Sequence, residues 1–205
     1  MKSQDSIAHL FVISGPSGVG KNTIINELMK KVDGLTYSIS HTTRMPRDGE
    51  VHGKEYYFVD KATFKKMIER GEFIEWAKVY SDYYGTSLSS IKERLSEGKD
   101  VILDLDVQGA MNIKKRFEDS TLIFIIPPSL DELVNRLKKR GSDELLIKER
   151  LSNLDYELSM AERYDYIVLN DVLEKAVKEV ESIILAKRCE AKKRLRLVES
   201  LRKEK

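Results

Sequence analysis

The chain has 205 residues, with 36 lysine plus arginine against 34 aspartate plus glutamate. That length sustains one or two folding units around a sizeable core, and the near balance of charge excludes a whole-molecule field for gathering nucleic acid or an acidic membrane. A single cysteine, Cys189, excludes an internal disulfide, no leader pattern opens the chain, and no apolar run nears the ~20 residues of a membrane span, so a cytoplasmic protein is expected, with no membrane or nucleic-acid partner and with oligomerisation left open.

In chain order, "LFVIS" is the first of four apolar runs that read as strands buried on both faces; the others are "VILDLD", "TLIFII" and "YDYIVLN". Helical segments separate them, which predicts a parallel α/β sheet. Directly after "LFVIS" stands "GPSGVGKNT", comprising Gly15, Pro16, Ser17, Gly18, Val19, Gly20, Lys21, Asn22 and Thr23. The Gly, four residues, Gly, Lys spacing is that of a phosphate-binding loop. Glycines let backbone N–H groups turn inward around phosphate oxygens, the next helix adds its positive end, and Lys21 adds a full charge. The plain alternative is a glycine-rich turn with an exposed lysine, and the strand before it and helix after it argue against that. A hydroxyl normally follows the lysine and helps hold magnesium; here Asn22 offers an amide oxygen instead, while Thr23 lies about 100° further round the helix. Ile24, Ile25, Leu28 and Val32 recur at helical spacing, and Gly34 marks a stop.

From Tyr37 to Ser90 alternating and aromatic pieces predict an inserted, antiparallel lobe with a short helix near "KATFKKMIERG". Arg44 and Arg47 lie three apart in its hydroxyl-rich loop, able to grip one phosphate from two sides. Asp104 and Asp106 close the strand "VILDLD" where parallel sheets bind ligands, which makes Asp104 a magnesium candidate and Asp106 a substrate contact, unless they only end the strand and cap the next turn. Ser129 to Asp155 reads as a charged helical flap, with a capping box at Ser129 and Glu132 and a break at Gly141. It carries Arg136 and Arg140 on one face, then Arg150. The last stretch is a basic helix with a thin apolar stripe at Ala191, Leu195, Val198 and Leu201, read as a solvated or oligomer-contacting element.

Taken together, "ISGPSGVGK", "SISHTTRMPRDGEVHGKEYYFV", "GEFIEWAKVYSDYYGTS", "ILDLDVQG" and "PPSLDEL" resemble the guanylate kinase family in order and spacing, from about Phe11 to Ile184. The resemblance implies a P-loop parallel-sheet core flanked by helices (1–36, 91–128 and 156–205), an inserted mixed α+β GMP-binding lobe (37–90) and a helical lid (129–155). These would make one domain over about 8–186. It implies magnesium-dependent phosphoryl transfer from ATP to GMP, and to dGMP. The family's GMP contacts fall on Ser40, Arg44, Arg47, Tyr56 and Tyr84, and its guanine readers on Glu75, Thr86 and Asp106. Lys21 and Arg44, with Arg136, Arg140 and Arg150 in the lid, would be catalytic, and Asn170 would lie near the adenine. Magnesium would be held through Asn22 and Asp104, directly or through water. The rival is an inactive guanylate-kinase-like domain that binds phosphopeptides; such domains have damaged loops, whereas Gly15, Gly18, Gly20 and Lys21 are all present here.

Overall fold

All four apolar runs are strands of one parallel sheet, as segments without polar alternation must be where helices cover both faces. The structure, a computed structural model, describes residues 8–203 apart from Tyr80, Arg140 and Ser142. The first half comprises β1 (Leu10–Ser14), α1 (Lys21–Lys31), β2 (Leu35–Tyr37), β3 (His41–Thr42), β4 (Tyr57–Phe58), α2 (Lys61–Glu69), β5 (Phe73–Val79), β6 (Asp82–Ser87) and α3 (Leu88–Ser96). Then come β7 (Asp100–Asp104), α4 (Val107–Arg116), β8 (Thr121–Ile126), α5 (Leu130–Lys139), α6 (Glu144–Leu151), α7 (Leu154–Ser159), a 3-10 turn (Met160–Arg163), β9 (Tyr166–Leu169), α8 (Leu173–Arg188) and α9 (Ala191–Lys203).

The core sheet has the order β2-β7-β1-β8-β9, parallel throughout. Alternation along β1 divides the core into two layers. Phe11 and Ile13 pack with Ile24, Leu28, Val177 and Val180 of α1 and α8, while Leu10 and Val12 pack with Ile91, Ala110 and Ile113 of α3 and α4. Two strands depart from expectation. Leu35–Tyr37 was not among the apolar runs, yet β2 pairs with β7 and so carries Tyr37 into the core sheet. β9 is not buried on both faces: only Val168 is enclosed, and Tyr166, Ile167 and Leu169 are 37%, 54% and 41% exposed, because β9 is an edge strand covered by α8 on one side.

The second sheet, ordered β4-β3-β6-β5, is mixed rather than antiparallel, since β3 pairs parallel with β4. Its other ladders, β5 with β6 and β3 with β6, are antiparallel. Stacked rings of Phe64, Phe73 and Tyr83 tie α2 to this sheet. In α5 the Ser129 hydroxyl accepts from the Glu132 N–H at 3.1 Å. The return arm of the capping box is absent, because the Glu132 carboxylate takes the Arg136 Nε at 2.9 Å. Leu133 and Leu137 are buried beside Gly18, which seats α5 on the glycine loop, and Gly141, at φ 79, breaks the chain before α6. At the opposite end of the sheet Asp100 accepts from the His9 N–H at 2.6 Å and from Arg188 Nε at 2.7 Å. Beside them Lys193 of α9 is buried. Among the described residues no helix is long and apolar enough to cross a membrane.

Candidate active site

The loop Gly15–Gly20 leaves β1 and returns as α1, whose first residue is Lys21. Gly15 has φ 136, and a Cβ there would stand 2.2 Å from the backbone oxygen of Ile125, so only glycine lets the loop lie against β8. The Lys21 ammonium donates to the Gly15 carbonyl at 2.9 Å and lies 3.8 Å from Asp104 Oδ1 at the end of β7. Burial pushes the Asp104 carboxyl above its ordinary pKa, with Lys21 opposing the rise. Asn22 and Thr23 are exposed in the first turn of α1.

The far side of the loop is stapled. The Val19 carbonyl accepts from Asn170 Nδ2 at 2.7 Å and from Arg136 NH1 at 3.2 Å, and Arg136 NH2 donates to the Asn170 carbonyl at 2.9 Å. With its Nε on Glu132, the Arg136 guanidinium uses all three nitrogens, two of them to tie the loop to the end of β9. A cleft of about 290 Å³ lies here, lined by Gly18, Gly20, Thr23, Arg136, Lys139, Asn170 and Leu173. Arg150 is half-buried in the last turn of α6, and Arg140 lies outside the described residues.

Across the cleft a pocket of about 410 Å³ joins the second sheet to α4. It brings together Ser40, Glu75, Tyr84, Thr86 and Asp106. Ser40 and Thr86 hydroxyls are 3.3 Å apart, and Thr86 donates to Glu75 Oε1 at 3.4 Å. Asp106 caps α4, accepting from the Gly109 N–H at 2.7 Å, so the capping alternative raised by the sequence is realised while the residue also faces the pocket. Burial, with Asp106 adding repulsion, pushes the Glu75 carboxyl up to about 7. Arg44 lies over the Tyr56 ring at 5.6 Å, and the Tyr56 and Tyr84 rings are 5.9 Å apart. Arg47 is exposed nearby.

Sequence reasoning missed four participants. Glu50 takes both oxygens to Arg44 NH2, at 2.7 and 2.9 Å, and accepts from the Arg47 N–H at 2.7 Å. The signal was an acid six residues after an arginine in a turn-forming loop, a spacing with no fixed geometry. Gln108 and Asn112 also line the pocket, and their four-residue spacing just after Asp106 was readable. Glu157 of α7 is half-buried, its carboxyl raised above the ordinary pKa by burial and lowered in part by Lys21.

The structure thus has a glycine loop carrying Lys21 and a separate pocket of carboxylate and hydroxyl groups, with Arg44 and Arg47 in the lobe that supplies the pocket's strands. Comparison with known proteins agrees with it. The profile of the family described as guanylate kinase matches residues 7–187. A guanylate kinase of Caldanaerobacter subterraneus subsp. tengcongensis is 47% identical over 197 residues, covering 95% of each chain. One of Thermotoga maritima is 43% identical over 196 residues, again covering 95% of each. A crystal structure of guanylate kinase from Anaplasma phagocytophilum superposes with a TM-score of 0.68 at 33% identity, covering 91% of this chain and 89% of that one. This chain belongs to the guanylate kinase family.

Proposed function

We propose that the protein transfers the terminal phosphate of ATP to GMP, and to dGMP, in the cytoplasm, with Lys21 and the loop holding the donor and the second-sheet pocket holding the acceptor. The observation that carries this reading is the Glu75–Thr86–Ser40 chain facing Asp106, two residues beyond the Asp104 that touches Lys21. Guanine presents N1–H and N2–H₂ as adjacent donors that one carboxylate accepts with two oxygens, and its O6 accepts from a hydroxyl. The acceptor phosphate falls to Arg44, Arg47, Tyr56 and Tyr84. The adenosine of the donor falls to the cleft at Thr23 and Asn170. Arg136 fixes the loop from below, and Arg150 with Arg140 supplies charge above the migrating group. Such transfer needs little covalent help: two anions held in line and their charge spread over donors. No general base is required, because the attacking phosphate oxygen is already ionised at neutral pH.

Magnesium fits the residues present only in company with ATP. Asp104 and Asn22 offer hard oxygen donors, and the described residues contain no group of three or more His, Cys, Asp or Glu able to cage an ion alone. Held at Asn22 and Asp104, the ion would supply positive charge against the donor phosphates. Asn22→Ser is expected to lower the magnesium concentration giving half-maximal rate, with GMP affinity unchanged, as read by a magnesium titration and a GMP binding isotherm. An unchanged titration would remove position 22 from the metal's surroundings.

The experiment that tests the function follows ADP release from ATP with GMP, AMP or no acceptor, across pH. Rapid release is expected with GMP alone. Guanine needs Glu75 ionised, and a carboxyl titrating at about 7 is mostly neutral at pH 6, so the KM for GMP rises about tenfold from pH 8 to pH 6. The KM for ATP stays flat over the same range. Release that ignores GMP overturns the proposal.

A further inference from the structure

Position 109 holds a glycine inside a helix, where alanine is the more stable choice. Gly109 is the third residue of α4 and is not among the residues with positive φ, so its backbone does not demand glycine. What demands it is space. A Cβ at 109 would lie 2.8 Å from Glu75 Oε2, 3.3 Å from Asp106 Oδ1 and 3.3 Å from Leu105 Cβ. Where glycine serves close packing of backbones the obstacle is backbone, as Ile125 is for Gly15. Here the nearest obstacle is the tip of a carboxylate side chain, which can swing aside without disturbing the fold. The same residue's N–H, through its 2.7 Å bond to Asp106 Oδ1, fixes the neighbouring carboxylate.

We infer that Gly109 is a specificity-determining positioning residue. Its missing side chain lets the Glu75 carboxylate stand against the first turn of α4 and face the base, beside an Asp106 held by the Gly109 N–H. The inference rests on the reading of Glu75 as the acceptor of guanine's donors. A methyl at 109 pushes Oε2 out of this place and opens the Thr86–Glu75 contact, which is already long at 3.4 Å. The donor loop, on the other side of the cleft, is untouched.

The test compares Gly109→Ala, Glu75→Gln and the double variant with the parent. In each, kcat and KM for GMP, AMP and ATP are measured, with the thermal midpoint alongside. Gly109→Ala is expected to keep or raise the midpoint, raise the KM for GMP roughly ten- to hundredfold, and narrow the GMP-to-AMP preference by the same factor. The kcat at saturating GMP and the KM for ATP should move by less than about threefold. In the Glu75→Gln background the added methyl should cost less than about threefold, because both changes disturb one contact. Losses that multiply in the double variant overturn the inference, since Gly109 would then act apart from Glu75. A variant that fails to fold, or melts lower, also overturns it, since glycine would then serve packing. If Glu75→Gln narrows the preference and Gly109→Ala does not, the reading of Glu75 stands and this inference fails. If Glu75→Gln leaves the preference unchanged, the reading of Glu75 fails and takes the role of Gly109 with it.

Discussion

Lys21→Met lowers kcat by about three orders of magnitude and leaves GMP affinity nearly unchanged. Methionine keeps the unbranched shape, so the first turn of α1 remains, but the loop loses its full positive charge. In the free protein that charge rests on the Gly15 carbonyl and beside Asp104, inside the cradle. On the proposed role it would instead meet the ATP phosphates and offset charge spreading over the migrating group in the transition state. The substitution acts a second time through Asp104, whose carboxyl burial already raises and Lys21 lowers. Without the ammonium, Asp104 holds its proton to higher pH and would serve less well in its proposed magnesium role. The acceptor pocket, formed by β5, β6 and α4, does not include Lys21. Steady-state kinetics with a GMP binding isotherm decide the matter, and a near-normal kcat removes Lys21 from the chemistry.

The second large effect is on choice of base. Sites built around hydrogen bonds reject analogues lacking them by roughly 10⁴ to 10⁵, because buried polar groups are left facing nothing. AMP would turn the N1 lone pair of adenine toward a half-buried Glu75 carboxylate. Glu75→Gln keeps the shape and accepts one donor instead of two, so the KM for GMP rises by about ten- to hundredfold and the GMP-to-AMP preference narrows accordingly. Two companion signatures follow from the burial of Glu75 beside Asp106. The variant loses the charge whose burial, with repulsion from Asp106, holds the Glu75 carboxyl up at about 7, so its thermal stability at pH 8 does not fall. Its KM for GMP also loses most of the pH dependence, keeping only the titration of the GMP phosphate itself near pH 6. A preference that stays at the parental value in a comparison of kcat/KM for both acceptors shows that another residue reads the base.

The parallel core was legible because β1, β7 and β8 are long enough and apolar enough to admit one reading. β2 was not, since three residues with one buried side chain leave no pattern to detect. The exposure of β9 escaped for a different reason: an edge strand and a central strand can share a composition, and strand order is a property of the whole sheet. In α9 the stripe at Leu195, Val198 and Leu201 is 55%, 48% and 65% exposed, whereas a lysine in the same helix, Lys193, is buried. An exposed stripe is compatible with the solvated or oligomer-contacting helix read from the sequence, whereas the burial of Lys193 in the first turn of α9 had no signal in the spacing. Of the candidate site, groups in contiguous motifs could be named from the sequence, while the placement of Arg136 beside the loop depends on how α5 seats on Gly18, which spacing along the chain cannot express.

On the proposed assignment of Arg44 to the acceptor phosphate, the Arg44–Glu50 pair makes that site an exchange rather than a vacancy. Arg44 holds Glu50 below the usual carboxylate range, and both side chains are largely shielded, so an arriving ligand must displace an internal anion to reach the guanidinium. A nucleotide whose phosphate carries two charges can do this. A bare nucleoside brings no charge and leaves the pair closed. Guanosine is therefore expected to bind more weakly than GMP however well its base suits Glu75, so that the lobe would apply two independent tests, one of shape at the ring and one of charge at the phosphate.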